Sequence, residues 1–430
     1  MVARHTARDL RSENRFEVLH ALFELGPSTR QELARHTGLS QATVATLVTE
    51  FLSGGVLHIA AVERNTGGRP QERLTIAPDR GRIVGVDVAE TYVDAVVHDL
   101  ALGVLGHAEV ALDEEENDPA YVVDGIVRAI DGAVGADATE RARVIGVGVS
   151  MPGHVHPDAG VSVFAPNWDW HDVRIEELLE DLAIPVYVDN PLKAVILSEM
   201  WFGVGNAVDS MAVVNLGTGV GAGIALDGSL IRGITNNAGE WGHTLLELDG
   251  RACRCGRRGC VEAYVGAPGL RTTLAEIDPG HPLLRQQRQR DFVERVAQGL
   301  AAGDPALSVL VLRTARYLAA GLGDLVNLLD VPHITLTGWA SEALADRLVP
   351  AVRDELPHHV LPGSLAGLVV EPSRVPGNAV ALGMAAFTLQ QFLTRLGLAS
   401  PARTRPRPDP EPAGFSRRAG TVPSPGPDAA

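Results

Sequence analysis

The chain is short of lysine: Lys193 stands alone beside 36 arginines. Aromatic residues make up only 4%, and cysteine occurs three times in 430 residues. A disulfide framework is therefore not expected. No apolar stretch approaches the roughly 18 residues of a membrane-spanning helix, and the N-terminus lacks the apolar core of a secretory signal. The expected location is the cytoplasm, with no membrane partner.

Positive charge is scarce as well. The net charge of −16 argues against nucleic acid as a partner until it is divided along the chain. Residues 1–76 hold 9 basic and 8 acidic side chains, residues 401–430 hold 5 and 3, and 23 basic against 42 acidic fall between. One large domain carries the acidity. A near-neutral N-terminal module can still hold DNA through a few well-placed arginines, although the acidic bulk lowers non-specific affinity. The last thirty residues contain eight prolines and no apolar period, which predicts a disordered tail over 399–430.

The few cysteines are gathered in one place, Cys253-Arg254-Cys255-Gly256-Arg257-Arg258-Gly259-Cys260, with Gly239-Glu240-Trp241-Gly242-His243 upstream. Three thiolates and one imidazole complete a tetrahedral zinc shell, and a closed shell of four protein ligands is structural rather than hydrolytic. The predicted ligands are His243, Cys253, Cys255 and Cys260. The alternatives are three surface thiols, or one disulfide with a thiol left over. Glu240 precedes His243 by three residues and Glu262 follows Cys260 by two, so a bound metal would also fix both carboxylates.

In the N-terminal module, Phe16, Val18, Leu19, Leu22, Phe23 and Leu25 recur at helical spacing, and Gly26-Pro27 stops the helix. A second helix is predicted from about Arg30 to His36, with Ser28 and Gln31 at capping-box spacing. Gly38 makes a turn, and Ser40 caps a third helix running to about Leu52. Two short helices around a glycine turn suggest helix-turn-helix, with Leu33, Leu39, Val44 and Leu47 as the shared core and Ala34 small at the crossing. Ser40, Gln41, Ala42, Thr43 and Thr46 would face the major groove, with Arg30 and Gln31 beside them. The strand-like Val56–Val62 and Glu72–Ile76 flank a glycine-rich turn whose Arg64 and Arg69 suit phosphate or minor-groove contact, as in a wing. The bland alternative is a helical hairpin for protein contacts.

After Pro78 the pattern becomes strands and glycine turns. Arg82–Val88 and Tyr92–His98 form a hairpin, and Met211–Leu216 and Val220–Leu226 repeat it. Two related halves suggest a bilobal α/β domain with a ligand cleft between the lobes. The expected organisation is a winged helix-turn-helix over 1–78 and the bilobal domain over 79–398. Lobe one would span about 79–193 plus the C-terminal helix, and lobe two about 194–382.

Three motifs carry a family resemblance over roughly residues 10–395: Leu216-Gly217-Thr218-Gly219-Val220-Gly221-Ala222-Gly223, the G-E-x-G-H segment, and C-x-C-G-x-x-G-C-x-E. The chain resembles the ROK family of repressors, open reading frames and sugar kinases, on the actin-like and hexokinase-like fold, and the fused winged helix resembles its regulator branch. The resemblance implies a sugar site at Gly153, Asn190, Glu240, His243 and Glu262, with His154 and Asn167 as further candidates. Carboxylates and an amide suit a ring of hydroxyls. Asn167 has the alternative of holding the Pro166–Trp170 loop.

Sugar phosphorylation needs a carboxylate base and glycine turns around the ATP phosphates. Kinases of the family read E-N-D-A-N with the aspartate as base, whereas this chain reads Asp189-Asn190-Pro191-Leu192-Lys193. Their first phosphate loop reads D-x-G-G-T, against Asp87-Val88-Ala89-Glu90-Thr91 here. The second loop is intact, either for phosphate or because the sheet turns there. Gly338-Trp339-Ala340 replaces a glycine pair near the adenosine end. Lys193 would meet an anionic ligand such as a sugar phosphate, or else sit solvated in the first turn of a helix.

The expected function is transcription regulation, probing a sugar in a degenerate kinase cleft, with zinc but no ATP, a roughly palindromic DNA operator, and a homodimer or homotetramer. A sugar kinase with a DNA-binding arm, and a regulator controlled by a partner protein, are the competing readings.

Overall fold

The computed structural model describes residues 7–63, 71–113, 115–165, 168–206 and 208–395. Arg64, Arg69, Asn167 and the proline-rich 399–430 lie outside them.

The first helix, Ala7–Leu25, begins earlier than its apolar period suggested. Helices Arg30–Thr37 and Gln41–Ser53 follow around Gly38, whose φ of +73° is the left-handed turn the sequence implied. The capping box falls one residue later than expected. Thr29 and Glu32 form it, because Ser28 is occupied by an antiparallel bridge to Leu74 in the wing, with N–H···O distances of 2.9 and 2.8 Å. Strands Leu57–Glu63 and Gln71–Ile76 pair antiparallel. Leu33, Ala34, Val44, Leu47 and Phe51 are buried between helices and wing, with Leu39 packed against them. Phe51→Ala should cost about 3–5 kcal/mol, the usual loss for deleting a buried ring. Amide exchange within Gln41–Ser53 measures it, and the amides of the bilobal domain serve as the internal control.

Two five-stranded sheets share one topology. The first runs 186–189, 144–150, 82–88, 92–99, 104–111, and the second 369–372, 333–337, 211–216, 220–226, 229–230. In each, the central strand pairs antiparallel with the next strand in sequence and parallel with the later one. The repeated halves read from the two hairpins are therefore repeated sheets. A small antiparallel sheet, His154–His156, Val161–Ala165 and Trp170–Arg174, flanks the cleft.

One described helix, Pro305–Leu329, has the length and hydropathy of a membrane span. Its Leu310, Leu318, Leu322 and Val326 are buried in the second lobe, where they form the core with Phe292 and Ile334. A core helix passes the same length test.

Helix Pro191–Phe202 crosses the boundary expected at residue 193. Leu192 and Ile196 press so closely on Gly221 and Gly223 of the second sheet that a Cβ on either glycine would lie within 2.6 Å of them. On its other side the Ala194 carbonyl sits 1.9 Å from where a Cβ of Gly383 would be, in helix Ala379–Arg395. The helix is thus wedged between the lobes.

Candidate functional site

The cysteine loop is a knuckle closed by backbone bonds from Cys253 N to Arg257 O (2.8 Å) and Gly259 N to Arg251 O (2.7 Å). Arg251 anchors it, lying 4.6 Å over the Tyr264 ring and donating to Ala263 O, Gly269 O and Thr273. The ligand atoms of His243, Cys253, Cys255 and Cys260 all lie within 4.8 Å of one another. His243 Nδ1 is 3.7 Å from Cys253 Sγ, and the Cys255 and Cys260 sulfurs are 3.7 Å apart. A tetrahedral zinc site with sulfur bonds of about 2.3 Å has edges of about 3.8 Å. The donor set and spacing fit that ion, while 3.7 Å is far beyond a disulfide bond of about 2.05 Å. The four residues are a group able to hold a metal.

The knuckle places both carboxylates. Glu262 Oε1 is 3.5 Å from Cys253 Sγ, and its Oε2 accepts Val220 N–H at 3.0 Å. His243 turns Nδ1 to the thiols and Nε2 to Glu240, at 3.9 Å. Burial raises the Glu240 carboxyl above its ordinary pKa, with His243 and Lys193 acting against the rise. Gly239 has φ +92°, and a Cβ there would be 1.9 Å from Ala222 O, so the loop carrying Glu240 presses directly on the second sheet.

Gly153, His154, Asn190, Glu240, His243 and Glu262 all line one cleft of about 610 Å³, a size that suits a small ligand. Asn190 donates through Nδ2 to Gly153 O (2.6 Å) and caps the helix that follows through Oδ1 (2.8 Å). His154 Nε2 meets Thr235 O at 2.6 Å. Lys193 departs from both readings made of it. It is neither solvated nor among the cleft-lining residues: it is 2% exposed and donates to the Ala238 carbonyl.

Pro191 occupies the first turn of its helix and carries no proton-accepting group. The adjacent carboxylate, Asp189, is 1% exposed and taken up by Arg232 (2.6 Å), Asn236 (2.8 Å) and its neighbour's amide. Sequence reasoning missed this network, whose parts lie more than forty residues apart. Asp87 is also buried, accepting from Tyr92 (3.0 Å), Ser150 (3.3 Å) and Asn378 (3.1 Å). Burial pushes its carboxyl up to about 6, with the Asn378 and Tyr92 bonds opposing. Trp339 lays its indole on Gly217, Nε1 being 2.9 Å from a Cβ built there. Arg254, unremarked in the sequence, lines the cleft and donates to Thr218 O at 3.1 Å.

In the N-terminal module, Ser40 caps the third helix and hydrogen-bonds the Thr43 hydroxyl at 2.8 Å. Gln31, Gln41, Ala42 and Thr46 are exposed. Arg30 pairs with Glu72 of the wing at 2.6 Å, and both side chains stay partly exposed.

The family model described as ROK family matches residues 83–391. The chain belongs to the ROK family. Among its relatives it is similar to the xylose repressor of Caldicellulosiruptor bescii, 24% identical over 401 residues, which are 90% of this chain and 97% of that protein. The glucokinase of Halalkalibacterium halodurans is 28% identical over 309 residues, 70% of this chain and 92% of its own. The crystal structure of a ROK family transcriptional regulator, a homolog of the E. coli MLC protein, superposes with a TM-score of 0.74 at 24% identity, over 90% of this chain and 99% of that one. The ROK fold is therefore shared with both repressors and kinases, and the repressor match extends further along this chain.

Proposed function

We propose that the protein is a DNA-binding transcriptional repressor of carbohydrate genes, controlled by a sugar or sugar derivative that its cleft binds and does not phosphorylate. The observation that carries this reading is the division of one cleft. Glu240 and Glu262, framed by the metal ligands, line its sugar-facing half, while the phosphate-facing half, which is open and lined by Gly217, Thr218, Gly219 and Glu90, lacks the base that transfer needs. Pro191 supplies no base, Asp189 is consumed by Arg232 and Asn236, and Trp339 occupies the surface of Gly217. The retained glycines of the second loop have a packing reason at Gly221 and Gly223, where helix Pro191–Phe202 approaches.

Zn²⁺ bound by His243, Cys253, Cys255 and Cys260 would supply the charge that holds three thiolates together, leaving no open position for substrate. The chain's own residues do the recognition. Asn190, Glu240 and Glu262 direct donors and acceptors at hydroxyls, and Gly153 lets the backbone approach. Gln41, Ala42 and Thr46 reach base edges from the third helix, and Arg64 and Arg69 of the wing contact phosphate. A homodimer or homotetramer in the cytoplasm, reading a roughly palindromic operator, follows from pairing two such helices.

Selection from random DNA should return a two-fold symmetric site, and sugars screened against that complex should change its affinity for one of them. Incubated with ATP, Mg²⁺ and the same sugars, the protein should form no sugar phosphate above background. Turnover at a rate comparable with a family glucokinase would overturn the reading.

A further inference from the structure

The lone lysine lies in a helix that reaches from the cleft to the winged domain. Helix Pro191–Phe202 begins at Asn190, which lines the cleft, and ends at Trp201 and Phe202, which meet the winged domain. Trp201 stands 5.7 Å edge-on from His20 and 5.4 Å from Phe23, and Phe202 is 6.0 Å from Phe23. Both His20 and Trp201 are buried, at 4% exposure. The contact is therefore a packed joint between helix Ala7–Leu25 and the sugar-binding domain. Aromatic packing of this kind transmits displacement because a close-packed interface has few intermediate arrangements.

At the cleft end, Lys193 spans from this helix to the segment 231–240 of the second lobe, donating to Ala238 O, two residues before Glu240. The segment is gripped nearby as well: Asp189 holds Arg232 and Asn236, and His154 holds Thr235. All of these grips come from the first lobe or the start of the helix. The stretch that carries the base in the kinases thus serves here as a clamp on the strand of chain presenting Glu240.

We propose that Lys193 is a positioning residue that ties the Glu240 segment to helix Pro191–Phe202, and that this helix carries displacement of the segment to the winged helix through Trp201 and Phe202. The inference rests on the reading of the cleft as a sugar sensor, and names the parts that would make it one. Lysine suits the task because its ammonium reaches across the lobe boundary while its stem fills the buried space. Arginine, the chain's other cation, presents a planar fork of five donors, and one buried carbonyl satisfies few of them.

The test uses the full-length, zinc-loaded protein and begins without sugar. In Lys193→Met, amide exchange over 231–244 should accelerate on the order of 10-fold, and that in Ala7–Leu25 should rise with it, while strand Arg82–Val88 keeps its protection. Trp201→Leu, and separately Phe23→Leu, should loosen Ala7–Leu25 and leave 231–244 as in the wild type. Wild-type exchange over 231–244 in Lys193→Met would overturn the positioning role. Faster exchange there with no change in Ala7–Leu25 would overturn the relay. D-xylose and D-glucose then supply a second readout. Lys193→Met should bind the active sugar on the order of 10-fold more weakly, whereas Phe23→Leu should bind it normally and lose its effect on operator affinity. If Phe23→Leu keeps the full sugar response, the relay is refuted. If neither sugar, nor any other hexose or pentose, binds the wild type, the sensor reading fails while the exchange results still decide the clamp and the joint.

Discussion

Cys255→Ser is expected to reduce sugar affinity on the order of 100-fold or more while leaving operator binding within a few-fold of the wild type. Structural zinc contributes about 10–16 kcal/mol in small zinc domains at neutral pH, so losing one ligand releases an interaction larger than most in the second lobe. The loss falls first on the cleft. Cys253 would no longer be held against Glu262, and His243 would no longer fix its second nitrogen towards Glu240. Leu33, Val44 and Phe51 of the winged domain belong to a core shared with the first lobe and helix Pro191–Phe202, a cluster separate from the Val261, Tyr264 and Trp241 that underlie the knuckle. Zinc content by mass spectrometry, sugar titration by calorimetry and operator binding by anisotropy separate the effects. A Cys255→Ser protein with an unchanged sugar-dependent response would show that the metal is only a staple. Treatment with a chelator should reproduce the variant, and readdition of Zn²⁺ should reverse the treatment in wild type alone.

Ala42→Asp is expected to abolish operator binding, with a loss of at least about 100-fold. A carboxylate at this position has two opposite electrostatic effects. At the start of helix Gln41–Ser53 a carboxylate favours the helix, since it complements the exposed backbone N–H groups and the dipole. The fold should therefore keep its stability. Facing DNA, the same carboxylate would oppose the phosphates and displace the base contact proposed for Gln41, and one good base contact is worth about 1–3 kcal/mol. Sugar affinity of the isolated protein should be unchanged, which distinguishes a damaged reading helix from a damaged molecule. Binding within a few-fold of wild type at the same ionic strength would remove the third helix from the interface.

Features set by local spacing were legible in the sequence. The turn at Gly38, the cap at Ser40 and the metal cluster each depend on residues within about twenty positions of one another, and the hairpin repeat declared the two sheets. Errors came where a distant partner decided the matter. Ser28 lost the capping role because Leu74 binds its backbone, and Lys193 was drawn inward by a carbonyl 45 residues away. The glycine-rich hairpin is a different case. Glycine serves phosphate binding and close helix approach equally well, so its purpose at Gly221 and Gly223 becomes readable only once Leu192 and Ile196 are seen against them.

Trp339 resting on Gly217 bears on redesign as much as on recognition. Building a phosphate-transferring site into this cleft would call for a carboxylate in place of Pro191, removal of Glu90 from the first turn, and room beside Gly217 where the indole now lies. The three positions belong to three separate elements, so they would have to be changed together before turnover could be sought.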